Sequence, residues 1–204
     1  MIKTQFRMVW LLLFALLMAG CSSLKESTTN VEWQAHQQKL AAITDYRASG
    51  KLGYISPQER QSLNFTWRRS PQRSELRLST FLGQTVLNMT ITPSGAHVET
   101  YDDQKLDADN AEQLIYRLTG LVMPVAPLSS WLLGAPNQAD NYQLNQTHTL
   151  SWLEKDLNGQ RWHLDYLRYQ DHPFNGLATP LPSKLKLTQN NITINLVISK
   201  WTFN

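Results

Sequence analysis

Residues 60–92 read Arg60-Gln61-Ser62-Leu63-Asn64-Phe65-Thr66-Trp67-Arg68-Arg69-Ser70-Pro71-Gln72-Arg73-Ser74-Glu75-Leu76-Arg77-Leu78-Ser79-Thr80-Phe81-Leu82-Gly83-Gln84-Thr85-Val86-Leu87-Asn88-Met89-Thr90-Ile91-Thr92. Leu63, Phe65 and Trp67 alternate with Asn64 and Thr66, Leu76 and Leu78 flank Arg77, and Leu87, Met89 and Ile91 flank Asn88 and Thr90. A two-residue period makes one face apolar and the other polar, which is the pattern of half-buried antiparallel strands. Ser70-Pro71 supplies a turn signal between the first two.

The same period returns downstream at Leu150 and Trp152, at Trp162, Leu164 and Tyr166, at Leu185 and Leu187, and at Ile192, Ile194, Leu196 and Ile198. Turn residues punctuate the gaps at Thr92-Pro93-Ser94-Gly95, Asp102-Asp103, Leu157-Asn158-Gly159 and Gln189-Asn190-Asn191. Helical spacing interrupts this rhythm three times. Thr29-Asn30-Val31-Glu32 fits a capping box ahead of a helix over 31–43 with Trp33, His36, Leu40 and Ile43 on one face. Asp109-Asn110-Ala111-Glu112 opens a second helix carrying Ala111, Leu114, Ile115 and Leu118, with Gly120 as its stop. Leu128 to Gly134 forms a short third helix bearing Trp131, Leu132 and Leu133. About ten strands with a few helical pieces predict a mainly β fold, a strongly curved sheet or barrel with helices against its inner face. Such an interior is either filled by side chains or hollow, and periodicity alone does not separate the two.

Composition sets the bounds. The 204 residues are 42% hydrophobic and 17% charged, too apolar for a disordered chain and short enough for one compact domain. The formal charge of +3 is small, and no basic stripe stands out along the chain, so nucleic acid is not an expected partner. A single cysteine, Cys21, excludes an intrachain disulfide framework and a cysteine-cluster metal site.

Residues 1–7 carry Lys3 and Arg7, and Met8 to Ala19 follow without a charge. That apolar run is shorter than the roughly 20 residues of a spanning helix and suits a secretory signal. Leu17-Met18-Ala19-Gly20-Cys21 resembles the bacterial lipobox, in which the cysteine thiol takes a diacylglyceryl group and the chain is cut just before it. The other reading is an ordinary signal peptide with an incidental cysteine. The resemblance implies a signal peptide over 1–20, a lipidated flexible tether over 21–30 and a folded domain over 31–204. Ser22 after the cysteine, in place of an aspartate, implies sorting to the outer membrane.

Catalytic signatures are missing: there is no nucleophile elbow, zinc-protease helix, phosphate loop or dinucleotide fingerprint. The five histidines, His36, His97, His148, His163 and His172, are spaced unlike metal ligands. The acidic cluster from Asp102 to Asn110 lacks the glycine and the twelfth-position glutamate of a calcium loop, and reads as a turn followed by a helix cap. Neither a cofactor nor a metal is expected.

One loop is anomalous. Ser79-Thr80-Phe81-Leu82-Gly83-Gln84 joins two strands, and such tips are normally polar. Phe81 and Leu82 either fold back as a plug or stay outside to enter an apolar phase.

Trp33-Gln34-Ala35-His36-Gln37-Gln38 with Leu40, Tyr46, Gly50 and Tyr54, then Phe65-Thr66-Trp67, Leu82-Gly83, Leu118-Thr119-Gly120, Pro124, Trp131, Leu133-Gly134 and Pro136 resemble the LolB family of outer-membrane lipoprotein receptors over nearly the whole mature length. Two positions depart from that pattern: Phe81 stands where proline is expected, and Arg68-Arg69 where glutamine is common. The resemblance implies an unclosed antiparallel barrel with a helical lid enclosing a hydrophobic cavity. It implies a monomer, lipid-anchored at Cys21 and facing the periplasm, that takes lipoprotein cargo from the periplasmic chaperone LolA and inserts it into the inner leaflet of the outer membrane. No enzyme activity is implied. Under this reading Leu63, Phe65, Trp67, Leu76, Leu78, Leu87, Met89, Ile91, Trp152, Trp162 and Leu164 are candidate walls of an acyl-chain cavity. Leu114, Ile115, Leu118, Trp131 and Leu132 are candidate lid residues, and Phe81 and Leu82 a membrane-insertion loop. Each wall residue serves equally as solid core, and a one-residue register slip moves a whole strand's set to the other face. Two rival readings stay open: a carrier of another apolar lipid, and an interaction protein with a filled barrel.

Overall fold

The structure, a computed structural model, describes residues 25–203. The signal segment, Cys21 and the first tether residues therefore lie outside the described residues. Eleven strands run β1 (Tyr46–Ile55), β2 (Arg60–Ser70), β3 (Arg73–Ser79), β4 (Thr85–Thr92), β5 (Gly95–Thr100), β6 (Lys105–Ala108), β7 (Asn141–Leu144), β8 (Leu150–Leu157), β9 (Gln160–Phe174), β10 (Leu177–Gln189) and β11 (Ile192–Phe203). Three helices join them: α1 (Trp33–Ala41) at the start, and α2 (Ala111–Thr119) and α3 (Leu128–Trp131) between β6 and β7.

All strands belong to one antiparallel sheet in the order β6-β5-β4-β3-β2-β1-β11-β10-β9-β8-β7. The first and last strands pair in the middle, Tyr46 opposite Phe203, so β6 and β7 are left as two free edges. The barrel is unclosed, and the segment that spans its open side carries α2 and α3.

Local chemistry explains the hairpins. Asn158-Gly159 and Asn175-Gly176 place both turn residues at positive φ, 54° and 76° in the first and 50° and 75° in the second, the geometry that matches the twist of the strands it joins. Asn175-Gly176 joins the long β9 and β10, a hairpin the sequence pattern did not reveal because Pro173, Pro180 and Pro182 break the alternation around it. Pro180 and Pro182 are tolerated because β10 pairs with β11 only from Lys184 onward, so its first half needs no donors on that side, and Pro173 because β9 pairs with β8 only as far as Asp165. Strand β1 escaped the alternation pattern too. Its inward positions are Ala48 and Gly50, and a Cβ on Gly50 would collide with the Val197 carbonyl oxygen; the bulge at this point lies in β11, where Ser199 is the extra residue.

Helix α1 starts later than the capping box suggested. Glu32 is the cap itself, its carboxylate accepting from the backbone of Gln34 and Ala35 at 3.0 and 2.6 Å, and those bonds hold its pKa down. The expected face is buried, with His36, Leu40 and Ile43 inside and Trp33 packed against them. Helix α2 spans the expected residues: Asn110 accepts from Gln113 N at 2.9 Å, and Gly120 ends the helix in the left-handed region.

The polar run expected to be a tether is strapped down from Ser27 onward. The Ser27 amide donates to the Tyr169 carbonyl at 2.9 Å and the Val31 amide to that of Thr147 at 3.2 Å. The hydroxyls of Ser27 and Thr29 donate to the two carboxylate oxygens of Asp171 at 2.6 and 2.8 Å.

The interior divides into a large cluster under α1 and the strands from β1 round to β9, and a smaller one of Met89, Ala96, Val98, Ala111, Leu114 and Val125 that seats α2 on β4 and β5.

Candidate functional site

Between these two packed regions the interior is hollow. A cavity of about 590 Å³ lies over the Ile55 half of the sheet. Leu63, Phe65, Trp67, Leu76, Leu78 and Leu87 project into it from successive strands, and Ile115, Leu118 and Leu132 close it from the helical side. These candidate wall and lid residues are brought together because Leu63 opposes Leu52, Phe65 opposes Leu78, and Leu78 opposes Leu87, all on one face. Pattern reading had not assigned Leu52, Tyr54, Leu121, Met123, Leu128, Leu187, Ile194 and Leu196, which complete the wall. Several belong to β1 and to the non-helical stretch after α2, where no period marked a face.

Other candidates lie elsewhere. Met89 and Leu114 are packed solid in the smaller cluster, and Ile91 packs against both clusters. Trp131, Trp162 and Leu164 are buried in the larger one and are not among the lining residues. Trp152 points the other way: its ring stacks on His163 and its indole N–H donates to Gln143 Oε1 at 2.8 Å. The cause is a bulge that opposes Gln143 to Trp152 but Leu144 to Leu150, leaving Ser151 as an extra residue and flipping the phase, so Leu153 is the next buried side chain.

The lid has two parts with different restraints. Three aromatics of the sheet donate to backbone carbonyls of residues 122–131: Tyr46 to Ser129 at 2.5 Å, Trp162 to Val122 at 2.8 Å and Tyr166 to Trp131 at 2.9 Å. Trp131 itself donates to Asn137 O at 2.9 Å. Burial raises the pKa of both tyrosines, so they stay neutral donors. Segment 122–134 is thereby sewn to the sheet. Helix α2 lacks such stitches. It is held by its apolar face, by Arg117 donating to Asp107 O at 3.0 Å, and by Glu112, whose carboxylate accepts from Ala126 N at 2.7 Å.

The mouth is rimmed by Glu59, Gln61, Thr100, Asp102 and Thr119, with Tyr101 at its lip. The 80–84 loop leaves the sheet at this same end. Thr80 and Gln84 close it backbone to backbone at 2.9 Å, Gly83 turns it at φ 87°, and Asn64 Nδ2 donates to Thr80 O at 3.0 Å. Nothing folds over its tip: Phe81 is 85% exposed and Leu82 81%. Of the two alternatives for this pair, the structure takes the outward one.

A second cleft, of about 510 Å³, lies beyond α2 among Thr90, His97, Asp107 and Arg117. Its lining is more polar than that of the first, and His97 Nδ1 sits 2.9 Å from Asp107 Oδ1 within it.

Residues 44–201 match the family model described as outer membrane lipoprotein LolB. The chain is 58% identical to the outer-membrane lipoprotein LolB of Vibrio vulnificus, covering 95% of this chain and 96% of that one. It is 34% identical to the protein of the same name from Pectobacterium atrosepticum, over 93% and 92%. Among solved structures, a LolA superfamily protein from Nitrosomonas europaea superposes with a TM-score of 0.53 at 10% identity, covering 85% of this chain and 94% of that one, a likeness of fold.

Proposed function

Because the chain belongs to the LolB family of outer-membrane lipoproteins, which serve lipoprotein localization, we propose that its cavity receives the acyl chains of lipoprotein cargo from the periplasmic chaperone LolA and that its exposed loop passes them into the inner leaflet of the outer membrane. The observation that carries this reading is the coincidence of an apolar hollow and an apolar finger, Phe81-Leu82, at one end of one sheet.

Physical chemistry sets the problem. Each methylene kept from water is worth about 0.8 kcal/mol, so three long chains would cost on the order of 30 to 40 kcal/mol to expose. Cargo therefore moves from one apolar environment to another, each more favourable, with the bilayer last and no nucleotide needed. At roughly 30 Å³ per water-sized group the cavity holds about twenty methylenes, the size of one long chain. Further chains are admitted as α2 lifts from the sheet while segment 122–134 stays stitched. Under this reading Cys21 carries the lipid anchor and holds the protein at the membrane facing the periplasm.

The test mixes the chain from Ser22 onward, without signal or lipid, with LolA loaded with a lipoprotein, then separates the two proteins. Cargo found with this chain supports the reading. Cargo left on LolA, or a free lipid as the sole copurifying ligand by mass spectrometry, overturns it.

A further inference from the structure

Charge is unevenly spread over the sheet. The five neighbouring strands β10, β11, β1, β2 and β3 contain ten Lys and Arg side chains and a single carboxylate, Glu75. The whole chain carries only +3, so the remainder is net acidic. No stripe is visible along the sequence because these cations come from residues 47–77 and 184–200, which only the pairing of β1 with β11 brings side by side. Cross-strand register puts Lys184, Val197 and Lys51 in one line, Lys200, Ser49, Thr66 and Arg77 in the next, and Thr202, Arg47, Arg68 and Glu75 in a third. These positions alternate with Leu52, Phe65 and Trp67 of the cavity wall, so they face outward, and their cations are exposed. Glu75 is already engaged by Arg73 at 2.6 Å, with Arg68 at 3.9 Å. The face is broad and carries exposed Val197 near its middle.

Chain reach allows this face to lie on a membrane. Ser27 is bonded to Tyr169, which lies one residue beyond Arg168 on the register line that runs through Arg168, Lys184, Val197, Lys51, Asn64 and Ser79, where the 80–84 loop begins. Cys21 precedes Ser27 by six residues, which span at most about 20 Å when fully extended, so the anchor reaches a leaflet lying along this line.

Building on the reading that Cys21 is the anchor and Phe81-Leu82 the inserting tip, we infer that the protein rests side-on on the membrane, with the sheet face bearing Arg47, Lys51, Arg68, Arg77, Lys184 and Lys200 against anionic lipid headgroups. An array of cations spread over neighbouring strands complements an extended polyanionic surface, and each Lys or Arg close to such a surface contributes about fivefold to binding. The face then holds anchor, mouth and loop at one leaflet while the lid side stays open to the periplasm.

Two measurements test this. The chain from Ser22 onward, without signal or lipid, is titrated with vesicles of phosphatidylethanolamine with and without about 30% phosphatidylglycerol, an anionic fraction at which surface attraction and its salt screening are readily measured. Binding is expected only with the anionic lipid, falling steeply with salt, and weakened about 25-fold in Lys51→Gln/Lys200→Gln, whose exposed sites leave the fold untouched. In the lipid-anchored protein, a fluorophore on Lys51→Cys is expected to be quenched by spin-labelled lipids, and one on Tyr116→Cys of α2 is not. Equal binding to neutral vesicles, position 51 no closer to the bilayer than 116, or the double variant losing an acidic protein partner with no vesicle binding would each overturn the side-on pose. Cargo transfer in the same preparations separates the two levels: normal transfer without headgroup binding sinks the pose alone, and failure to accept cargo sinks the reading beneath it.

Discussion

Leu82 sits four-fifths exposed on a loop whose base is pinned by Asn64. Transfer of such a side chain into hydrocarbon is worth about 1.5 to 3 kcal/mol. Leu82→Glu is therefore expected to leave the thermal midpoint and the uptake of an apolar probe unchanged while slowing delivery into vesicles about tenfold or more; normal delivery would remove the loop from the mechanism. Gly50 is the opposite case, a residue with no surface role. Its missing Cβ leaves room for the Val197 carbonyl, and Gly50→Ala is expected to cost about 3 kcal/mol in urea unfolding. His36 is buried with neither ring nitrogen partnered, and burial, helped by Lys39, pushes its pKa down to about 4. Below pH 6.5 the unfolded chain binds a proton that the folded chain refuses. Stability should thus fall from about pH 6.5 to 4, and His36→Phe should flatten much of that slope in midpoint-against-pH scans, His172 keeping a share of the same sign. The apolar character of residues 81 and 82 was legible in the sequence. Their outward direction was not, because it is set by a contact from the neighbouring strand.

At the level of elements, the lid is not one body. Tyr46, Trp162 and Tyr166 stitch residues 122–131 to the sheet, whereas α2 rests on side-chain packing and two polar contacts. Amide exchange should reach Ala111–Thr119 well before residues 131–134, and Glu112→Ala, which frees the Ala126 amide, should speed it further. Similar protection across both would mean that the lid moves as a unit or not at all. Filling the hollow tests its use directly: Leu118→Trp should cut probe uptake severalfold while holding or raising stability, since it occupies space instead of removing contacts. The strands read correctly where the two-residue period was unbroken, as over Leu63 to Ile91. It failed at Trp152, where Ser151 bulges, and in β1, whose inward positions opposite Trp67 and Phe65 are Ala48 and Gly50. The first is an irregularity of pairing, invisible until the partner strand is known, and the second is a face too small to show as apolar. Solid core and cavity wall also look alike in sequence. Met89 and Leu87 share a strand and a face, yet one is packed under α2 and the other lines the hollow.

For the whole molecule, the decisive property is the pair of unpaired edges, β6 and β7. In a closed barrel, strand number and stagger dictate the radius, and any swelling must break a ladder of backbone hydrogen bonds. Here no such hoop exists. The girth can grow by spreading the gap between Lys105–Ala108 and Asn141–Leu144 while every rung of the sheet stays intact. Cargo of differing tail number and length thus meets a purse whose size is decided by what it holds.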